Sequence, residues 1–68
     1  MNEVNFDLIK LRRKEMRLTL QDMADTLGFK DASTYYKYEK GTYKFKAQHL
    51  PLLASKLKLR LKDIFLVA

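Results

Sequence analysis

An all-α domain of five short helices is the fold class this sequence predicts, and three observations lead there. Apolar residues recur at helical spacing in two stripes, Leu20, Met23, Ala24 and Leu27, then Leu50, Leu53, Ala54 and Leu57. Gly28, Gly41 and Pro51 are the only glycines and proline, and they cut the chain into segments of helix length. The 68 residues, 8.1 kDa, leave room for one domain over residues 1–68, with no linker, repeat or low-complexity tract.

Asn5 can cap a first helix over residues 6–16, with Asp7 in its first turn and Arg12, Arg13 and Lys14 towards its end. That order suits the helix dipole. Leu8, Ile9 and Leu11 supply its buried face, Leu18 holds the chain as it turns, and the basic 10–17 run reads as a solvated helix end. Thr19 is a good N-cap for a second helix of barely two turns, Asp22 completes an approximate capping box, and Gly28 ends it. Asp31 or Ser33 can cap a third helix ending before Gly41. Thr34, Tyr35, Tyr36 and Tyr38 favour strands, yet the two glycines bracket one helix's length and Tyr35 and Tyr38 lie three apart.

After a loop over residues 42–46, the second stripe makes a fourth helix. It should begin around Ala47, because Pro51 is tolerated only near a first turn. The 57–62 stretch alternates strictly between apolar and basic residues, a strand signature. A lone strand has nothing to pair with, so a short fifth helix is expected, with Leu61, Ile64 and Phe65 on one face after a turn near residues 58–60. The apolar Leu66-Val67-Ala68 tail reads as an interface or a frayed end.

Composition narrows the chemistry. Hydrophobic residues make up 47% and charged ones 32%, a globular balance. With no cysteine, disulfides, thiolate zinc sites and thiol catalysis are excluded. No apolar run approaches the roughly 18 residues of a membrane span, and residues 1–7 lack the apolar stretch of a secretory leader, so a cytoplasmic location is expected. The net charge of +6 and a pI near 9.7 favour a polyanionic partner. His49 is the lone histidine and has no nucleophile beside it in sequence. It reads as a first-turn helix residue, and no catalytic residue, cofactor or metal site is expected.

Two short helices joined by a tight turn, with Ala24 inside the first and Gly28 before the turn, are the elements of a helix-turn-helix. A steep helix crossing admits only a small side chain such as Ala24, and Gly28 lets the backbone reverse without a Cβ clash. The chain further carries Leu18-Thr19-Leu20-Gln21-Asp22-Met23-Ala24, Leu27-Gly28-Phe29, Ser33-Thr34-Tyr35 and Lys37-Tyr38-Glu39-Lys40-Gly41. In these words, and in the spacing of Leu50, Leu53, Ala54, Leu57, Leu61, Ile64 and Phe65, it resembles the Cro/C1-type (XRE-like) helix-turn-helix family over residues 9–65.

That resemblance implies the lambda-repressor-like fold, with the helix-turn-helix at helices 2 and 3 and the third helix entering the major groove. It places Tyr35 and Tyr38 inward, and Ala32, Ser33, Tyr36 and Lys37 outward towards base edges. Thr34, Lys40, Thr42, Tyr43 and Lys44 would meet phosphates. Leu20 stands where members often carry a phosphate-binding glutamine, and Gln21 is the substitute one position on. From Lys30 to Lys46, five lysines face Asp31 and Glu39, a local charge of +3. The partners implied are operator DNA and a homodimer on it, with no membrane. The resemblance extends to small phage modulators of repression, so a complex with a repressor protein is the second reading.

Overall fold

The computed structural model describes residues 3–66. In chain order its elements are β1 (Glu3–Val4), α1 (Phe6–Glu15), α2 (Leu20–Leu27), α3 (Ala32–Glu39), α4 (His49–Leu57), a 3-10 turn (Leu61–Ile64) and β2 (Phe65–Leu66). The three N-terminal helices start on their own side-chain caps, which satisfy backbone N–H groups that no helical carbonyl reaches. Asn5 Oδ1 accepts from the Leu8 N–H at 3.1 Å. Thr19 and Asp22 form a reciprocal capping box at 2.8 and 2.9 Å. Asp31, of the two expected candidates, caps α3 through the Thr34 N–H at 2.9 Å. The fourth helix begins at His49 rather than Ala47, and Pro51 is its third residue, where the missing N–H costs nothing.

The four α-helices end alike. Each passes into a left-handed residue, Arg17, Gly28, Gly41 or Lys58. Two backbone N–H groups then close onto the last turn, as in Leu59 to Ala54 O at 2.9 Å and Phe29 to Ala24 O at 2.8 Å. After three of these turns an apolar residue, Leu18, Phe29 or Leu59, folds back onto the core. The core itself joins Ile9 of α1, Met23, Ala24 and Leu27 of α2, Tyr35 of α3, Leu53, Ala54 and Leu57 of α4, and Ile64. Three residues of each predicted stripe are in it, Leu20 and Leu50 pack half-buried against it, and Ala24 is fully buried.

Two expectations for the C-terminal stretch fail. The fifth helix is a single 3-10 turn, so the α-helices of the described residues number four. The 57–62 stretch forms no strand, as expected; a strand that was not expected, β2, lies beyond it and pairs antiparallel with β1, Val4 opposite Phe65 and Glu3 opposite Leu66. The Asn5 N–H extends the pairing to Ile64 O. The alternation over residues 57–62 arises instead because a helix end, the left-handed Lys58 and the 3-10 turn follow one another. Leu61 is left 47% exposed, off the face shared by Ile64 and Phe65. Val67 and Ala68 of the apolar tail lie outside the described residues.

Leu11 is 56% exposed rather than on the buried face of α1. Arginine takes the inward positions, so the 10–17 run is not a wholly solvated helix end. Arg12 Nε donates to Leu57 O at 2.9 Å, closing the C-terminus of α4. Arg13 grips Glu39 with two parallel bonds, Nε to Oε2 at 2.8 Å and Nη2 to Oε1 at 3.0 Å, while Nη1 reaches Leu18 O at 3.1 Å. The side chains are 11% and 2% exposed. Each charge is therefore tolerable only with the other in place.

Replacing Glu39 by Ala strands a buried guanidinium, a loss of about 3–5 kcal/mol. A domain this small has about that much in total. Glu39→Ala should therefore be largely unfolded by circular dichroism at room temperature, and the apolar pair Arg13→Met/Glu39→Leu should recover most of the helical signal. An unchanged urea midpoint for Glu39→Ala would show that the pair does not hold the fold.

Candidate nucleic-acid interface

Burying Tyr35 and Glu39, one turn apart, fixes the rotation of α3. Its opposite side then presents Ser33, Tyr36, Lys37 and Lys40, all exposed and spaced as one stripe. Of the other residues expected at the interface, Ala32 and Thr34 are half-buried at the start of the helix. Thr42, Tyr43 and Lys44 are exposed in the loop that follows. The N–H groups of Thr42 and Tyr43 both donate to Lys37 O, at 2.8 and 3.2 Å, and so draw this loop against the end of α3. Gln21 is exposed in the first turn of α2, and its amide Nε2 donates to Asp25 Oδ1 at 2.9 Å. That uses one of its two N–H donors.

Tyr38 is half-buried rather than fully inward, since it carries the loop. It stacks on Phe29 (centroids 4.6 Å, planes 16° apart) and meets Tyr43 edge-on at 5.4 Å. Phe45 and His49 close the cluster at 5.5 and 5.6 Å from Tyr38. The loop is thus braced by rings on a chain stretch that has no regular secondary structure.

Electrostatically, the two helix starts are already occupied. Asp31 accepts from the Thr34 N–H and from the Ser33 hydroxyl, and these bonds hold its carboxyl below the ordinary carboxylate range. Asp22 is held low in the same way by Thr19. A phosphate therefore finds an anion at the start of each helix, not bare N–H groups. Positive charge gathers at the other end of α3, where Lys37, Lys40, Lys44 and Lys46 stand exposed and Glu39 is neutralised by Arg13. The positive potential of this surface is therefore concentrated on the C-terminal half of α3 and the loop.

Sequence reasoning missed two contacts at this surface. The Lys40 ammonium lies 5.1 Å from the centre of the Tyr36 ring, and that of Lys37 lies 5.7 Å from the Tyr43 ring. The first is an i, i+4 pair and was visible in the spacing. The second exists only because the loop folds back. Among the described residues no group of three or more His, Asp or Glu is placed to hold a metal ion, and no helix is long and apolar enough to cross a membrane.

A family model described as helix-turn-helix matches residues 9–64, more than half of the chain. No curated protein and no solved structure matches.

His49, expected in a first turn, is the first residue of α4 and is also the loop's acceptor: its Nδ1 takes the Lys46 N–H at 3.0 Å. Nδ1 must be unprotonated for this, and burial, together with the Lys46 charge, pushes the imidazole pKa below its ordinary value. Because the folded pKa lies below the unfolded one, the unfolded chain binds the proton first. Stability is then complete above the unfolded pKa near 6.5 and declines as pH falls through the folded value. In His49→Asn the side-chain oxygen keeps an acceptor that does not titrate. Urea midpoints between pH 7 and pH 5 should fall for the wild type and hold for the variant; parallel curves would refute the assignment.

Proposed function

We propose, from the premise that the chain belongs to the Cro/C1-type (XRE-like) helix-turn-helix family, that it is a sequence-specific regulator of transcription of the phage or bacterial kind, acting in a genetic switch. It acts by occupying operator DNA in the cytoplasm, and no catalytic step belongs to its action. The observation that carries this reading is the exposed stripe Ser33, Tyr36, Lys37 and Lys40 running without a break into the basic loop. A short helix with one polar stripe of that length fits the major groove.

Within that docking, Lys37 donates to guanine O6 and N7, and Tyr36 lies against a thymine methyl, with Ala32 and Ser33 at the edge of the read sequence. Lys40, Thr42 and Lys44 meet phosphates, with Thr34 and Gln21 at the margin, and fix register rather than sequence. One recognition helix reads few base pairs, so two copies bind half-sites about 34–36 Å apart.

A second reading is favoured by one observation. Tyr36 and Tyr43 are each 45% exposed, on the same helix-and-loop surface. Large exposed rings are enriched at protein interfaces, and this surface also suits an antirepressor that covers a partner repressor.

A gel-shift titration of the chain on its own upstream DNA at two salt concentrations separates these readings. Neutralising roughly 4–6 phosphates gives a slope of log K against log salt of about −4 to −5. Lys37→Ala should cost about 1–3 kcal/mol and relax one base position, whereas Lys44→Ala should weaken all sequences alike and make the slope shallower by about 1. Unaltered affinity in both variants would remove the docking face. Failure to shift DNA, with co-purification of a repressor protein, would support the second reading instead.

A further inference from the structure

We propose that Tyr43 is a positioning residue for Lys37: its ring, anchored on Tyr38, holds the ammonium of the base-contacting lysine in place before DNA arrives. The inference rests on the reading of α3 as the helix that contacts bases, and it assigns Tyr43 a different role from the phosphate contact its sequence position suggested.

A lysine on a helix surface samples many rotamers around its four-carbon stem and loses that freedom when it engages a base. Among the described residues no carboxylate pairs with Lys37, so no ion pair restrains it. The Tyr43 ring lies 5.7 Å from its Nζ, within range of a cation–π attraction. That ring is itself fixed at both ends. Its backbone N–H donates to the carbonyl of Lys37, and the Thr42 N–H donates to the same oxygen. The ring meets Tyr38 edge-on at 5.4 Å, and Tyr38 in turn stacks on Phe29. A rigid path thus leads from the half-buried Phe29 through Tyr38 and Tyr43 to the lysine. Lys40 differs, because Tyr36, the ring beneath it, sits on the same exposed stripe.

The two roles for Tyr43 rest on different atoms, since a phosphate contact needs the hydroxyl and positioning needs the ring. Tyr43 is 45% exposed, so its replacement leaves the core intact. In the full chain without DNA, NMR should show the Lys37 ε-methylene shifted upfield by the ring. The shift should persist in Tyr43→Phe and vanish in Tyr43→Leu; an unshifted methylene in the wild type would overturn the proposal. Selection from a randomised duplex library at fixed salt supplies the functional arm. Tyr43→Phe should keep the wild-type base preferences. Tyr43→Leu should bind the selected duplex about two- to fivefold more weakly, the size of an exposed cation–π contact. It should relax the same base position as Lys37→Ala and add nothing in a Lys37→Ala background. Equal damage from Tyr43→Phe and Tyr43→Leu, or a full additional loss in the double variant, would overturn the positioning role. If Lys37→Ala alone alters no base preference, the base-contact reading fails, while the methylene shift still decides whether the ring holds the lysine.

Discussion

The placement of three helices depends on one planar guanidinium. Arg13 stands in the last turn of α1, binds Glu39 at the end of α3 with two parallel hydrogen bonds, and reaches the Leu18 carbonyl just before α2. Its pKa is raised, with the bond to Glu39 as the largest cause. Two nearly buried charges are costly apart, so any rearrangement that separates α1 from α3 must hydrate both or leave them bare. Lysine could not take the arginine's place, because the geometry uses three N–H groups in a fixed fork. With so small a core, this directional contact sets which way α3 is rotated, and therefore which of its residues face outward.

From that rotation the candidate interface follows in steps. Tyr35 turns fully inward, and Tyr38, three residues on, becomes a half-buried ring against Phe29. The loop after α3 is then held by Tyr43 and Phe45 on Tyr38 and by the His49 nitrogen beneath the Lys46 N–H. Gly41 makes the turn possible, with φ of +88° and the Phe6 ring 3.5 Å from where a Cβ would sit. A loop braced by such contacts matters to an electrostatic surface. Lysines on it present charge at defined distances from the α3 stripe, whereas on a mobile loop the same charges would give attraction without register.

Much of the frame was legible because its signals are local. Asn5, Thr19 and Asp31 cap the helices they were expected to cap, since a side chain bonding an N–H three residues on needs nothing from the rest of the chain. Both apolar stripes read correctly for the same reason. The third helix was read against its tyrosines' preference for strands, and the turn residues on either side decided it. The outward stripe of α3 also followed from period alone once Tyr35 was placed inside. Arg17 and Lys58 adopt left-handed turns with no glycine to announce them; packing of Leu18 and Leu59 onto the core compensates the strain. Leu11 looked like a core residue and Arg13 like a surface one, because pattern reading ranks side chains by polarity and cannot see a carboxylate 26 positions away.

By itself the sequence determined the four α-helices, the side-chain caps of the first three, the two glycine turns and the basic character of the segment after Gly28. These rest on hydrogen bonds and periodicities spanning a few residues. Tertiary structure alone decided that residues 3–4 and 65–66 pair, that Arg13 and Glu39 meet, and that Tyr43 reaches Lys37. Each of those contacts joins atoms that become neighbours only after the chain has closed on its core, so no local preference could encode them singly.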